Sequence, residues 1–493
     1  MLTYSLDNKE NESIYEYLYN CIKRDIVDGK MRPNEKLPSK RAFANNHGIS
    51  VVTVENTYGQ LMAEGYIYSK PKSGFYVSEI EGFEKPEYGR YGEKEKQILL
   101  PIAARDNNSV SEREFENSVK NDNMINLVSN HTAPENFPFS IWAKLVRGVL
   151  SDQDAKLMIS PPAGGVIELR EAIARHLREF RGILCESEQI IIGAGTEYLY
   201  SLIVQLLGRE KIYGLENPSS KKIRNIYQAL GVKVMPLEMD SEGIKLTPEN
   251  LTMPDIIQIS PSHHFPTGIV TSVGRRYGLL QWANETDSRY VIEDDYDSEF
   301  RLRGKPIPSL FSMDATDKVI YFNTFTKSLA STIRISYMVL PKPLLDLFYK
   351  KLGFYSCTVS NFEQYTLAHF IEGQYFEKHI NRMRNHYREL RDKLIEELKS
   401  SDIGDYVTIK EENSGLHFLM EISTVKPADF MKEKASRAGV NIGFLSDYYY
   451  MDYKKSDNSY EHTAIINYSG LHKEDMQKVV EALCEAWGKY IAR

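Results

Sequence analysis

Two apolar runs in the middle of the chain constrain the fold more than any other feature. Residues 290–294 read Tyr-Val-Ile-Glu-Asp, and residues 319–324 read Val-Ile-Tyr-Phe-Asn-Thr. Each begins with β-branched and aromatic residues, the pattern of a buried strand. Each then turns polar, where an open α/β sheet collects its ligand-binding groups. The first run delivers Asp294 and, two residues on, Tyr296; the second delivers Thr324, Thr326 and Lys327, with Arg334 close behind. Side chains alternate along a strand, so the i+2 spacing predicts that Tyr296 shares a side with Asp294.

These residue types suit one chemistry. Burial lowers an ammonium's pKa and frees the amine to form a Schiff base. A carboxylate is the partner a pyridinium nitrogen requires, and pyridoxal phosphate (PLP) sites join the two. Hydroxyls and a guanidinium, here Thr324, Thr326 and Arg334, hold a phosphate. A single lysine is more often a solvated surface residue; the set reverses that balance. The blocks Glu-Asp-Asp-Tyr-Asp-Ser-Glu-Phe at 293–300 and Thr-Phe-Thr-Lys at 324–327 resemble the fold-type I aminotransferases. More narrowly, they resemble the aminotransferase-like half of the MocR/GabR regulators. The resemblance implies Lys327 as the aldimine lysine, Asp294 as the pyridinium partner and Tyr296 as the ligand of the cofactor's O3′.

A chain of 493 residues predicts two or three domains. A hydrophobic share of 42% supports sizeable cores. The net charge of −7 does not announce a nucleic-acid binder, although a net value can hide a basic patch. Cys21, Cys185, Cys357 and Cys484 have no metal-binding spacing and read as reduced thiols of a cytoplasmic protein. No metal site, signal peptide or membrane span is expected.

In residues 1–77, Ile14, Leu18, Cys21, Ile22 and Ile26 lie at helical spacing. Ser39 and Ser50 are predicted N-caps of two further helices, with Gly48 between them. Residues 66–68 and 75–77 flank a basic turn and predict a hairpin. Three helices, a tight turn and a hairpin make a winged helix-turn-helix. Ser50, Val51 and Thr53 begin the helix that would enter the major groove of double-stranded DNA. Lys40, Arg41, Lys70 and Lys72 can neutralise phosphates, though each lysine alone reads as ordinary surface. Leu-Pro-Ser-Lys-Arg at 37–41, Gly-Ile-Ser-Val-Val-Thr-Val at 48–54 and Glu-Gly-Tyr at 64–66 resemble the GntR-family reader head. That family often carries arginine where this chain has Val51. A valine cannot pair bidentately with guanine but can touch a thymine methyl.

Residues 78–122 are polar and charged and predict a flexible linker, with a short helix at 105–119. Residues 123–493 then read as the aminotransferase-like domain. A strand at 189–192 leads into Gly193-Ala194-Gly195-Thr196-Glu197 and a helix. Backbone N–H groups at such a turn can cradle an anion, although βα turns commonly carry glycine for geometry alone. With the resemblance, Gly195, Thr196 and Glu197 join Thr324 and Arg334 in a phosphate cup. The Glu197 carboxylate is then expected to point away, because it would repel a phosphate. His263 and His264 follow a strand at 256–260; the resemblance puts His264 beside the cofactor, while a solvated loop is an equal reading. Strands alternating with helices over 189–340 predict a mostly parallel sheet. A long helical run near 370–398 and a mixed α/β tail resemble the small C-terminal subdomain.

Two departures bear on function. Asn217-Pro218-Ser219-Ser220 puts Ser220 where the family usually has a ring-stacking tyrosine. Asn467 stands where the family's carboxylate-clamping arginine is expected, and Asp447 nearby is expected to repel a carboxylate. The effector is therefore read as an amino acid, an amine, a peptide or PLP itself. A PLP-bound, homodimeric DNA-binding regulator is the first expectation. A working aminotransferase with a DNA-binding appendage, using Lys327 as transimination amine and base, is the second. A regulator of vitamin B6 supply that senses PLP is the third. The missing arginine argues against sustained amino-acid turnover.

Overall fold

The computed structural model describes residues 4, 13–64, 66–70, 73–78, 124–128, 133–152, 154–302, 308–413, 415–450 and 458–491. Lys72 and the predicted linker beyond Ser78, with its short helix, lie outside the described residues. The chain divides into two compact units, Met1–Glu112 and Arg113–Arg493.

The first unit holds α1 (Ile14–Val27), α2 (Lys40–His47), α3 (Val51–Ala63), β1 (Ile67–Lys70) and β2 (Gly74–Val77). The predicted caps form. Ser39 Oγ accepts from the Ala42 N–H at 3.2 Å, and Ser50 Oγ from the Thr53 N–H at 3.0 Å. Gly48, with φ of 65°, closes α2 in the left-handed region that a residue with Cβ avoids. One face of α3, Val54, Tyr58 and Leu61, is fully buried against Leu18, Ile22 and Phe43. The Tyr58 hydroxyl donates to the Pro38 carbonyl at 3.0 Å, tying α3 to the start of α2. β1 and β2 pair antiparallel, with strands extending further toward the turn than the sequence predicts.

The second unit is built on an eight-stranded sheet. Its strands are β4 (Ile190–Ala194), β5 (Ile212–Asn217), β6 (Lys233–Asp240), β7 (Gly243–Ile244), β8 (Ile256–Ile259), β9 (Tyr290–Asp294), β10 (Val319–Thr324) and β11 (Ile335–Val339). Their order is β4-β11-β10-β9-β8-β5-β6-β7. The run from β10 through β6 is parallel, so β5, β8, β9 and β10 end at the same edge. β11 runs antiparallel between β4 and β10, and β7 folds back on β6. Burial of β9 and β10 matches their apolar runs: Val291, Ile292 and all of Val319 to Phe322 are fully buried.

Helices of eight residues or more in this unit are α4 (Phe139–Asp152), α5 (Ile167–Arg181), α6 (Thr196–Leu207), α7 (Lys221–Ala229), α8 (Val273–Asn284), α9 (Lys342–Leu352), α10 (Asn361–Glu372), α11 (Tyr375–Ser400), α12 (Ala428–Arg437) and α13 (Met476–Trp487). The helical run predicted near 370–398 is α11, except that its first residues, 370–372, close α10. Gln374 breaks it by taking φ of 58°, which a right-handed helix cannot contain. A second, antiparallel sheet of β12 (Val407–Lys410), β13 (His417–Ile422), β16 (Thr463–Asn467) and β15 (Gly443–Phe444) packs with α11 and α13 in one core. A short parallel pair, β3 (Ile125–Asn126) with β14 (Val440–Asn441), brings the entry of the domain beside it. No helix among the described residues is long and apolar enough to cross a membrane. Among them no group of three or more His, Cys, Asp or Glu is placed to hold a metal ion.

Candidate functional site

The carboxyl ends of β5, β8, β9 and β10 open into one cavity of about 440 Å³. Glu216, Ser260, His264, Asp294, Tyr296, Thr324 and Lys327 line it from those ends, and Thr196, Glu197 and Tyr200 from α6. The topology explains the convergence: parallel neighbours deliver their strand ends to one place.

Asp294 is buried at the last position of β9. Its Oδ2 accepts from the Tyr200 hydroxyl at 2.6 Å and from Gln258 Nε2 at 3.4 Å. Gln258 in turn donates to the Tyr200 oxygen at 3.2 Å and accepts from the Tyr227 hydroxyl at 2.6 Å. Oδ1 has no hydrogen-bond partner among the described residues. Burial pushes the Asp294 carboxyl up to about 6, against the hydrogen bond from Tyr200. Lys327 lies one turn past β10, and burial lowers its ammonium's pKa, opposed by the charge of Asp297. Tyr296 lies beyond the end of β9, so it reaches the cavity from the following turn and not by strand alternation. Its hydroxyl shares a hydrogen bond with His263 Nδ1 at 3.2 Å, and Asp297 Oδ2 holds that same nitrogen at 2.8 Å.

The loop after β8 is buried, not solvated. His264 is 1% exposed, with Nδ1 bonded to Thr267 Oγ1 at 2.7 Å and Nε2 3.4 Å from Glu216 Oε2. Burial holds the His264 ring down at about 3, so it stays neutral at ordinary pH. Glu216, accepting from the Ser260 N–H at 2.9 Å, is pushed up to about 8 by burial.

The glycine-rich turn forms at the start of α6. Gly195 has φ of 90°, and a Cβ there would overlap the Arg334 guanidinium and the Glu197 carboxylate. Thr324 Oγ1 caps the next turn, accepting from the Thr326 N–H at 3.1 Å and from Ser336 Oγ at 2.8 Å. The Glu197 carboxylate departs from expectation. It faces the cavity and bridges two cations, Arg334 Nη2 at 2.5 Å and Lys222 Nζ. A carboxylate in the first turn of a helix is favoured by the dipole as well. Burial raises the Glu197 pKa, but the bond from Lys222 and the charge of Arg334 outweigh it and hold the carboxylate below its usual range.

Asn467 lines the cavity from the end of β16. Asp447 does not line it. Lys432 Nζ lies 2.6 Å from Asp447 Oδ1 and the Phe444 N–H donates to Oδ2 at 3.0 Å, so this aspartate is neutralised elsewhere. Ser220 does line the cavity, ahead of α7. Sequence reasoning misses Tyr200, Gln258 and Glu216. Gln258 carries a signal: it is the one polar residue inside the apolar run of β8, and burying an amide requires partners.

In the first unit, the exposed face of α3 presents Val51, Val52, Glu55 and Asn56. Ser50 and Thr53 hydroxyls bond each other at 2.8 Å as part of the cap. Lys40 is not an unpaired surface cation: its Nζ meets Glu55 Oε1 at 2.6 Å. Arg41 is exposed, and Lys70 lies over the Tyr76 ring at 4.7 Å.

Fold and site together define an aminotransferase-type domain joined to a helix-turn-helix head. Residues 122–483 match the model for aminotransferase class I and II, and residues 14–77 that for bacterial regulatory proteins of the gntR family. The chain belongs to the MocR family of HTH-type transcriptional regulators, which unites those two parts. It is 36% identical over 498 residues to the uncharacterized HTH-type transcriptional regulator YhdI of Bacillus subtilis (strain 168), covering 100% of this chain and 99% of that one. It is 29% identical over 496 residues to the probable rhizopine catabolism regulatory protein MocR of Rhizobium meliloti, covering 98% and 95%. The fold is similar to that of Pyrococcus horikoshii kynurenine aminotransferase, at TM-score 0.68 and 23% identity, over 79% of this chain and 97% of that one.

Proposed function

We propose that this regulator holds pyridoxal 5′-phosphate in the cavity at the β5–β10 edge and senses a small-molecule effector there through Lys327. One observation carries the reading: a buried carboxylate oxygen without a partner, Asp294 Oδ1, and a desolvated lysine line the same cavity. The residues fit the cofactor. When bound, PLP supplies an aldehyde that combines with primary amines, beside a protonated ring nitrogen.

The protein's part follows from its own groups. Desolvation leaves more of the Lys327 amine unprotonated, hence nucleophilic, near neutral pH. With the cofactor bound, Asp294 would be the residue that pairs with its ring nitrogen, since Tyr200 and Gln258 hold one carboxylate oxygen and leave the other available. Tyr296, oriented by His263, is the hydroxyl for the ring's oxygen edge. Gly195, Thr196 and Glu197 offer N–H groups at the start of α6, and Thr324 and Arg334 complete the phosphate end. His264, neutral and buried, forms a wall of the cavity.

An effector amine that competes for the Lys327 attachment point changes what the cavity walls hold. It regulates DNA binding only by preferring one arrangement of the protein over another. In this reading residues 1–77 are the reader head, 78–122 the tether and 123–493 the effector domain, acting as a homodimer on paired half-sites.

The test is a visible absorption spectrum of full-length protein during PLP titration. A new band that Lys327→Ala lacks supports the reading; a band retained in that variant overturns the assignment. Many turnovers per site with an amino acid and an oxo acid would replace the regulator with a working aminotransferase.

A further inference from the structure

The α3 helix, Val-Val-Thr-Val-Glu-Asn-Thr-Tyr-Gly-Gln-Leu-Met-Ala, contains no lysine, arginine or histidine. It therefore has none of the donors that pair bidentately with guanine O6 and N7. Its outward face carries two apolar side chains. Val52 is 64% exposed and Val51 39% exposed, while the buried face of the same helix is complete without them. Asn56 is exposed on the same side, one turn after Val52, with no hydrogen-bond partner among the described residues. Glu55 is held by Lys40.

We infer that α3 reads an A·T-rich half-site, with Val51 and Val52 against thymine methyl groups and Asn56 on an adenine. The inference rests on α3 being the groove-reading helix of the GntR-type head. Apolar side chains contact the thymine methyl, and asparagine pairs with adenine N6 and N7. Spacing agrees: four residues of helix rise about 6 Å, and successive base pairs rise about 3.4 Å. Val52 and Asn56 thus reach base pairs roughly two steps apart. Arg41 and Lys70, exposed outside α3, are available for phosphate contacts, which fix the position of the head on the duplex.

The experiment uses the full-length chain to select duplexes from a randomised pool. Each thymine of the selected site is then replaced singly by deoxyuridine, each adenine by 7-deazaadenine and each guanine by 7-deazaguanine. Removing a thymine methyl read by a valine should weaken binding about three- to five-fold, the worth of one buried methyl. That sensitivity should vanish in Val51→Ala or Val52→Ala; neither valine belongs to the buried core of the head. One 7-deazaadenine position should cost about tenfold in the parent and little in Asn56→Ala. Val51→Arg should shift selection toward guanine. The inference is overturned if no deoxyuridine position matters, if methyl sensitivity survives in both valine variants, or if an α3 variant abolishes dependence on a guanine. In those cases the head still binds DNA and only the reading code falls. Selection of no sequence at all would sink the code and the DNA-binding reading together.

Discussion

The cavity and the helix-turn-helix head carry opposite kinds of residue. In the cavity, Asp294, Glu216 and His264 are charged or polar groups held almost entirely out of water. On the head, Val51 and Val52 are apolar groups held out in it. The buried placement costs free energy unless partners are supplied; the exposed one costs folding nothing and bears on function only through its position on α3. The difference teaches where function is visible. A buried carboxylate stands out in a strand. An exposed valine stands out only once the rest of its helix is known to be packed.

The strongest way to break the comparison is at Lys327. Lys327→Ala should remove the visible band and sharply reduce retention of PLP through gel filtration, while operator binding by the head persists in the absence of effector. Loss of folding in that variant would make the lysine structural and erase the contrast.

Asp294→Asn comes next, and it cuts two ways. Retention of PLP should fall about 100-fold, from the loss of a charge-assisted hydrogen bond. The apo protein should become more stable at pH 7.5, by about 1–3 kcal/mol. The sign follows from linkage. A carboxyl raised to about 6 in the folded protein keeps its proton where the unfolded chain has lost it. Stability from this group is therefore present at low pH and lost as pH rises through about 4 to 6. Thermal unfolding of both apo proteins at pH 4.5 and 7.5 checks it; an unchanged difference would mean Asp294 is not desolvated.

A smaller effect should appear at Glu55. Glu55→Gln removes the acid that holds Lys40, leaving that lysine for a phosphate. Operator affinity should rise a few-fold and the salt dependence should steepen by about one ion. A fluorescence titration at several salt concentrations reads both. Smallest of all, Tyr58→Phe should cost about 1 kcal/mol of head stability through the lost bond to Pro38, with no change in the cofactor spectrum.

Much of this architecture is legible in the order of the amino acids. The apolar starts of β9 and β10 locate the sheet edge, and Lys327 and Asp294 announce themselves by lying at the ends of such runs. Ser39, Gly48 and Ser50 mark helix ends because caps and left-handed turns are local chemistry. What escapes is set by tertiary contact. Tyr200 sits on a helix whose face toward Asp294 no spacing rule identifies. Charge repulsion alone sends the Glu197 carboxylate away from the phosphate end; Lys222, alongside it only in the folded chain, reverses that expectation. Asp447 reads as a repulsive neighbour of the ligand only while Lys432, distant in sequence, goes uncounted. The break before α11 does carry a local signal, Gly373 at the end of α10, which apolar spacing alone passes over.

One side chain near the opening of α6 has a wider reach than its size suggests. The Glu197 carboxylate meets Lys222 through Oε1 and Arg334 through Oε2, so one side chain joins the start of α6, the first turn of α7 and the residue ahead of β11. The single substitution Glu197→Gln therefore weakens both ion pairs at once.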